Sequence, residues 1–191
     1  MAKIVLASAS PRRSQLLDQI GVEFIVQPSS VDESKFDGQA AINLVQQLAA
    51  AKSRDVANKL DKGLVIGADT VVVHHGQVLG KPESDDEAYA MLSKLSGSCH
   101  QVITGLAVID IENSTTRIDY KITEVEMREF SGQEISDYIS TGEPMDKAGG
   151  YGIQERGAIF VTGIKGSYTN VVGLPVTKLV MICKDLGYQI V

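Results

Sequence analysis

Residues 64–73 read Leu-Val-Ile-Gly-Ala-Asp-Thr-Val-Val-Val, an apolar run broken at its centre by the carboxylate of Asp69. Runs of this kind form buried strands, and a carboxylate carried into one without partners costs so much that it neutralises instead. Whatever this chain folds into must therefore bring cations, a metal ion or capping N–H groups to Asp69. A structural aspartate, tied to one lysine or to the backbone, meets that demand as well as a reactive one does. The local sequence leaves both readings open.

The segments around this run alternate between strand and helix signals. Residues 3–7 form a short buried strand, and Ser10-Pro11 then offers an N-cap and a proline at the first helical position, opening a helix to about Ile20. Val22 to Val26 suggests a second strand. From Gly38 to about Lys59, Ile42, Val45, Ala49 and Val56 recur at helical spacing, the longest predicted helix. The Asp69 run ends at His74-His75-Gly76-Gln77, which has the length of a hairpin turn, and a return strand leads to Gly80-Lys81-Pro82. Ser84 to Glu87 and Ser131 to Glu134 have capping-box spacing and open helices to about Leu95 and Ser140. Two long strand-like segments, His100 to Ile111 and Arg117 to Phe130, flank a polar stretch and should pair antiparallel. Glu143 to Gly152 is a loop rich in glycine and charge; Ala158 to Ile164 reads as a strand, Val176 to Leu186 as a closing helix and Tyr188 to Val191 as a last strand. The pattern predicts an α/β fold with a mixed sheet, one domain over residues 1–191.

Several function classes lose support at once. A net charge of −6 disfavours a nucleic-acid surface, which needs many Lys and Arg contacts to phosphate. The N-terminal apolar stretch is too short for an export signal, and no apolar run approaches the roughly 18 residues of a membrane span. A cytoplasmic protein without a membrane partner is expected. Cys99 and Cys183 follow no metal or redox spacing and read as buried free thiols. Walker, dinucleotide-binding, Gly-x-Ser-x-Gly and His-Glu-x-x-His motifs are all missing, which disfavours kinase-like, Rossmann, serine-hydrolase and zincin chemistry.

What remains is a set of cations and acids. Ser8, Ser10, Arg12 and Arg13 cluster where a strand gives way to a helix N-terminus, a place suited to phosphate, although a solvated basic turn is the plainer alternative. Lys52 lies on the apolar stripe of the long helix, either pointing into a site or laying its methylenes on apolar surface to reach water. Lys81 sits between Gly80 and Pro82 at the end of the return strand, where hairpin geometry could bring it towards Asp69. Glu33 is a second candidate acid, or a surface glutamate.

The ordered motifs Leu6-Ala7-Ser8-Ala9-Ser10-Pro11-Arg12-Arg13, Gly67-Ala68-Asp69-Thr70, Gly80-Lys81-Pro82, Glu143-Pro144-Met145-Asp146-Lys147-Ala148-Gly149 and Val172-Gly173-Leu174-Pro175 closely resemble those of the Maf family of nucleoside triphosphate pyrophosphatases. The resemblance implies an inosine-triphosphatase-like fold, a long mixed sheet flanked by helices with two lobes around a central cleft. It also implies cleavage of a nucleoside triphosphate between its α and β phosphates, with a divalent cation (Mg2+, Mn2+ or Co2+). By motif, Asp69 matches the family's proton acceptor, and Ser8, Arg12, Arg13, Glu33, Lys52 and Lys81 match its other active-site positions. Asp69, with Glu33, would either hold the metal or accept a proton from the attacking water. A homodimer and a link to inhibition of septum formation are further implications of the resemblance, and a regulatory binding protein without turnover is its rival form.

Branches of the family differ at three positions. Arg12, Thr70 and Gln154 resemble the dTTP/UTP branch, whereas the 7-methyl-GTP branch typically carries tryptophan, glutamine and glutamate there. Thr70 and Gln154 would meet the pyrimidine through a hydroxyl and an amide edge. Two residues depart from the pattern: Glu155 stands where relatives usually have glycine, and Gly150 where they usually have alanine.

Overall fold

The computed structural model describes residues 3–36 and 38–191. In chain order these form β1 (Ile4–Leu6), α1 (Pro11–Gln19), β2 (Ile25–Val26), α2 (Ala41–Ala57), β3 (Leu64–His74), β4 (Gln77–Leu79), α3 (Asp85–Leu95), β5 (Cys99–Asp110), β6 (Thr115–Met127), α4 (Gly132–Ile139), β7 (Val161–Lys165), α5 (Tyr168–Val172) and α6 (Val176–Asp185). Single 3-10 turns lie at Glu33–Phe36, Glu143–Asp146, Ala148–Gly150 and Arg156–Phe160. The strands form one seven-stranded sheet in the order β2-β1-β3-β5-β6-β7, with β4 paired to β3. Pairing is parallel for β1 with β2 and with β3, and antiparallel for β3 with β4 and for β6 with β7, so the sheet is mixed. No helix among the described residues is long and apolar enough to cross a membrane.

Local chemistry explains most of the boundaries. Pro11 opens α1 after Ser10, but the Ser10 side chain makes no capping bond; instead its backbone N–H donates to Ser8 Oγ at 3.2 Å. His74 pairs with Gln77, leaving His75 and Gly76 as a two-residue turn with φ of 46° and 77°, the double positive φ that matches strand twist in tight hairpins. Ser131 and Glu134 close a full capping box on α4. At α3, Ser84 accepts from the Glu87 N–H, while the Glu87 carboxylate reaches one residue further back, to the Glu83 N–H at 2.8 Å.

Contacts divide the chain into two compact units. The first comprises residues 1–69, 104–121 and 173–191. Its core joins Val5, Ala7, Val56, Ala57 and Val65, and α2 lays a face of small residues, Ala49 and Ala50, against Ala107. Two glycines permit this approach: a Cβ on Gly67 would lie 2.4 Å from the Ala49 carbonyl oxygen, and one on Gly105 would lie 2.2 Å from that of Val45. The second unit, residues 70–103 and 122–172, packs Leu92, Leu95, Val125, Ile135, Tyr138 and Phe160 into a separate core.

Some expectations give way. Tyr188–Val191 forms no strand; the Tyr188 N–H turns back to the Cys183 carbonyl at 2.8 Å and its hydroxyl donates to Asp110 at 3.1 Å. Residues 158–160 belong to a 3-10 turn, so β7 starts only at Val161. Helix α5 has no helical signature in its β-branched sequence; Asn170 pins it by donating to Val102 O and Thr123 Oγ1, both at 3.0 Å. Cys183 is buried as expected, but Cys99 opens β5 on its exposed side.

The second unit also buries His100, whose Nε2 lies 2.8 Å from the Tyr151 hydroxyl. Burial, reinforced by His74, pushes its pKa down to about 4. The folded chain therefore binds fewer protons here than the unfolded chain between pH 6.5 and 4, and stability falls as pH is lowered through that window. Urea unfolding at pH 7 and pH 5 should show His100→Gln losing about 2 kcal/mol of the wild-type pH dependence. An unchanged pH dependence would refute the assignment.

Candidate active site

The reactive groups of the first unit gather where the parallel pairing of β1 with β3 ends, at Leu6 and Ile66. The chain leaves β1 through Ala7, whose N–H donates to Ile66 O at 2.7 Å, and delivers Ser8, 6% exposed, to the start of α1. Arg13, in the first turn of α1, points inward rather than to water. Its Nε donates to the Gly173 carbonyl at 2.8 Å and its Nη1 to Ser8 Oγ at 3.0 Å, so the guanidinium is held from two sides. Gly173 adopts φ 123°, a backbone conformation that side-chain-bearing residues rarely reach. That carbonyl is a functional group that sequence reasoning missed: the Val-Gly-Leu-Pro motif was visible, its partner was not.

On α2, Lys52 is 8% exposed, and the snorkelling alternative fails. Its Nζ lies 2.6 Å from Asp69 Oδ1 and 2.8 Å from Glu33 Oε1. Glu33 opens a 3-10 turn that Asp32 stabilises through the Ser34 hydroxyl and N–H, and although its side chain is 59% exposed it reaches inward to this ammonium. One lysine thus holds two carboxylates. Gly67 makes this possible, because it lets α2 ride directly on β3 two residues before Asp69.

Burial pushes the Asp69 carboxyl above its ordinary pKa; Lys52 and then Arg13 oppose that shift, and Glu33 adds to it. Arg13 is moved down by its own burial, with Asp69 and Glu33 holding it up and Arg12 working against it. Arg12 is half-buried. The outcome is a desolvated carboxylate, more basic than an exposed one, surrounded by fixed cations. Such an arrangement can bind a polyanion and accept a proton next to it.

Among the described residues no group of three or more His, Cys, Asp and Glu side chains is arranged to hold a metal. Asp69 and Glu33 provide two hard oxygen donors on one ammonium. That donor set fits a hard divalent cation that draws its remaining ligands from substrate phosphates and water, and does not fit an all-protein cage.

The other sequence candidates belong to the second unit. Thr70 follows Asp69 on β3 and is half-buried, and Lys81 is exposed beyond β4. Continuing the β3–β4 register from Val72↔Leu79 counts Lys81 opposite Thr70. The Gly80 carbonyl accepts from the Gly149 N–H at 2.9 Å, so the Gly80-Lys81-Pro82 motif meets the final glycine of the Glu143–Gly149 motif. Gln154 is exposed in the loop that follows Tyr151.

Residues 3–186 match the family model described as Maf-like protein. The dTTP/UTP pyrophosphatase of Acetivibrio thermocellus is 49% identical, over 100% of this chain and 98% of its own length. That of Desulforamulus reducens is 47% identical over the full length of both. Among solved structures, the Ham1 protein of Staphylococcus aureus superposes with a TM-score of 0.52 at 16% identity, covering 96% of this chain and 99% of that one, which shows a shared fold. With the motifs in place and matched along nearly its whole length, this chain belongs to the Maf-like protein family.

Proposed function

We propose that this chain is a nucleoside triphosphate pyrophosphatase that hydrolyses dTTP and UTP to the monophosphate and pyrophosphate. The observation that carries this reading is the buried Asp69, raised in basicity and held by Lys52 beside Glu33 and Arg13. In the proposed reaction a water attacks phosphorus, its proton passes to the Asp69 carboxylate, and the α–β anhydride bond breaks to release pyrophosphate. Ser8, Arg12, Arg13 and Lys52 bind and orient the triphosphate, and Lys81 is the further cation supplied by the family motif. Lys52 and Arg13 also favour the ionised form of Asp69 that accepts the proton. Thr70 and Gln154 read the pyrimidine. A divalent cation, held by Asp69 and Glu33, would neutralise phosphate charge when bound. A cytoplasmic setting and a homodimeric assembly belong to the same proposal.

A panel of nucleotides scored for pyrophosphate, with Mg2+, Mn2+ and Co2+ in parallel, tests the substrate class. Expected is a kcat/KM for dTTP and UTP at least about 10-fold above that for 7-methyl-GTP, the size of discrimination that one lost or mismatched polar contact supplies. A preference for 7-methyl-GTP would contradict the roles given to Thr70 and Gln154; binding without pyrophosphate release would favour a regulatory protein.

A further inference from the structure

The motif Glu143-Pro144-Met145-Asp146-Lys147 has no part in the chemistry above, yet Glu143 and Lys147 each make several hydrogen bonds or ion pairs within the second unit. The Tyr138 hydroxyl donates to Glu143 Oε1 at 2.7 Å and accepts from the Gly152 N–H at 3.2 Å. The other side of the Glu143 carboxylate accepts from the Arg156 N–H at 3.1 Å, and Oε1 also accepts from the Gly157 N–H at 3.0 Å. Lys147, whose side chain is 6% exposed, donates to the Glu143 carbonyl at 2.9 Å and pairs with Asp146 at 2.8 Å and Glu155 at 3.0 Å.

These bonds converge on the two ends of one short loop. A Cβ on Gly157 would lie 2.8 Å from Gly152 O and 2.9 Å from Gly152 N, and a Cβ on Gly152 would lie 2.5 Å from Lys147 Cε. Residues 152 and 157 thus form a neck in which position 157 admits only glycine, with Gln154 exposed at the tip. An unbraced loop of this size would lose conformational freedom on every binding event; a braced one has lost it already.

We infer that Glu143 and Lys147 are positioning residues for base selection: they clamp the 152–157 loop so that the Gln154 amide is presented in one orientation. Glu155 is the adjustable part of the clamp, since its ion pair with Lys147 is half exposed and reaches across the loop next to Gln154. Glycine at this position could make no such pair. The inference rests on the reading of Gln154 as a base-recognition residue.

The test compares Glu143→Gln, Lys147→Met, Glu155→Gln and Gln154→Ala, each checked for a wild-type melting curve. Three quantities are read: kcat and KM for dTTP, the ratio of kcat/KM for dTTP over dATP, and the inhibition constant of inorganic tripolyphosphate, a triphosphate without a base. Glu143→Gln and Lys147→Met should raise KM about 10-fold, with the loss falling on KM more than on kcat, and lower the dTTP/dATP ratio about 10-fold. Tripolyphosphate should bind within about twofold of wild type, a result that general loosening of the protein would not give. Glu155→Gln should move the ratio about threefold, and it keeps the test decisive if the more buried variants fail to fold. If Gln154→Ala collapses the ratio while the clamp variants leave it unchanged, the clamp is refuted. An unchanged ratio in Gln154→Ala overturns the base-recognition reading itself.

Discussion

Asp69→Asn is expected to lower dTTP turnover by about 10³-fold or more while leaving the fold intact, because a positioned base contributes about 10²- to 10⁴-fold and the same carboxylate is one of the two oxygen donors proposed for a divalent cation. The amide occupies the same volume and still offers Lys52 an oxygen at the place of Oδ1, 2.6 Å away. Lys52 also keeps Glu33 at 2.8 Å, so the buried ammonium is not stranded. Burial disfavours the ionised form of this carboxylate in the folded state. Its folded pKa is raised, so the folded state binds the proton more tightly than the unfolded state, and stability declines as pH rises through that pKa. The variant should melt within about 4 °C of the wild type at pH 7, equivalent to roughly 1 kcal/mol in a chain of this size. Steady-state turnover and a thermal melt on the same preparation check both halves. A purely structural Asp69 predicts the reverse pattern: activity retained or lost only in step with stability.

The second large effect concerns a residue that touches no substrate. Gly67→Ala should destabilise the protein by about 3 kcal/mol, the upper range for overpacking, because the added methyl would meet backbone on both sides. Its Cβ would lie 2.4 Å from Ala49 O, 2.9 Å from Ser53 N and 3.0 Å from Ser53 Cβ. No rotamer change relieves a clash with helix backbone, so α2 has to move off β3. Lys52 precedes Ser53 on that helix, and its reach to Asp69 moves with it. Turnover should therefore fall together with stability, by about 10²-fold, the cost of misplacing a reacting group by about 1 Å. Gly80→Ala is the control: nothing lies within 4 Å of its added Cβ, so a change in stability below about 0.5 kcal/mol is expected. Denaturant unfolding distinguishes the two, and equal stabilities would show that α2 is not seated by this contact.

How much of this was legible beforehand depended on whether a feature is local. The His75-Gly76 turn, the Ser131–Glu134 box and the apolar stripe of α2 are encoded within a few residues, and each formed as its spacing indicates. The tail from Tyr188 to Val191 looked like a strand because its residues suit one, but a strand also needs a partner, and Tyr188 instead bonds to Cys183 and Asp110. Helix α5 shows the converse, a strand-like composition held helical by the long-range bonds of Asn170.

The site divides in the same way. Helical spacing placed Lys52 on the inward face of α2 but could not tell an ion pair from snorkelling; the closeness of α2 to β3, set by Gly67, decided it. Arg13 was found through its neighbours in sequence, whereas its carbonyl partner Gly173 lies 160 residues away and left no local signal. The clamp of Glu143 and Lys147 was invisible for a related reason. Its two ends are joined only when the loop between Gly152 and Gly157 closes.

Water attack that opens the α–β anhydride of dTTP, with Asp69 as the proton acceptor, leaves an isotopic signature in the products. Phosphorus NMR of dTTP during turnover in ¹⁸O-labelled water, with Asp69→Asn as the blank, tests it most directly. Turnover should give dTMP and pyrophosphate in equal amounts, the label carried on dTMP, and no product in the blank over the same period. Orthophosphate with dTDP, or product formation by Asp69→Asn at the wild-type rate, would contradict it.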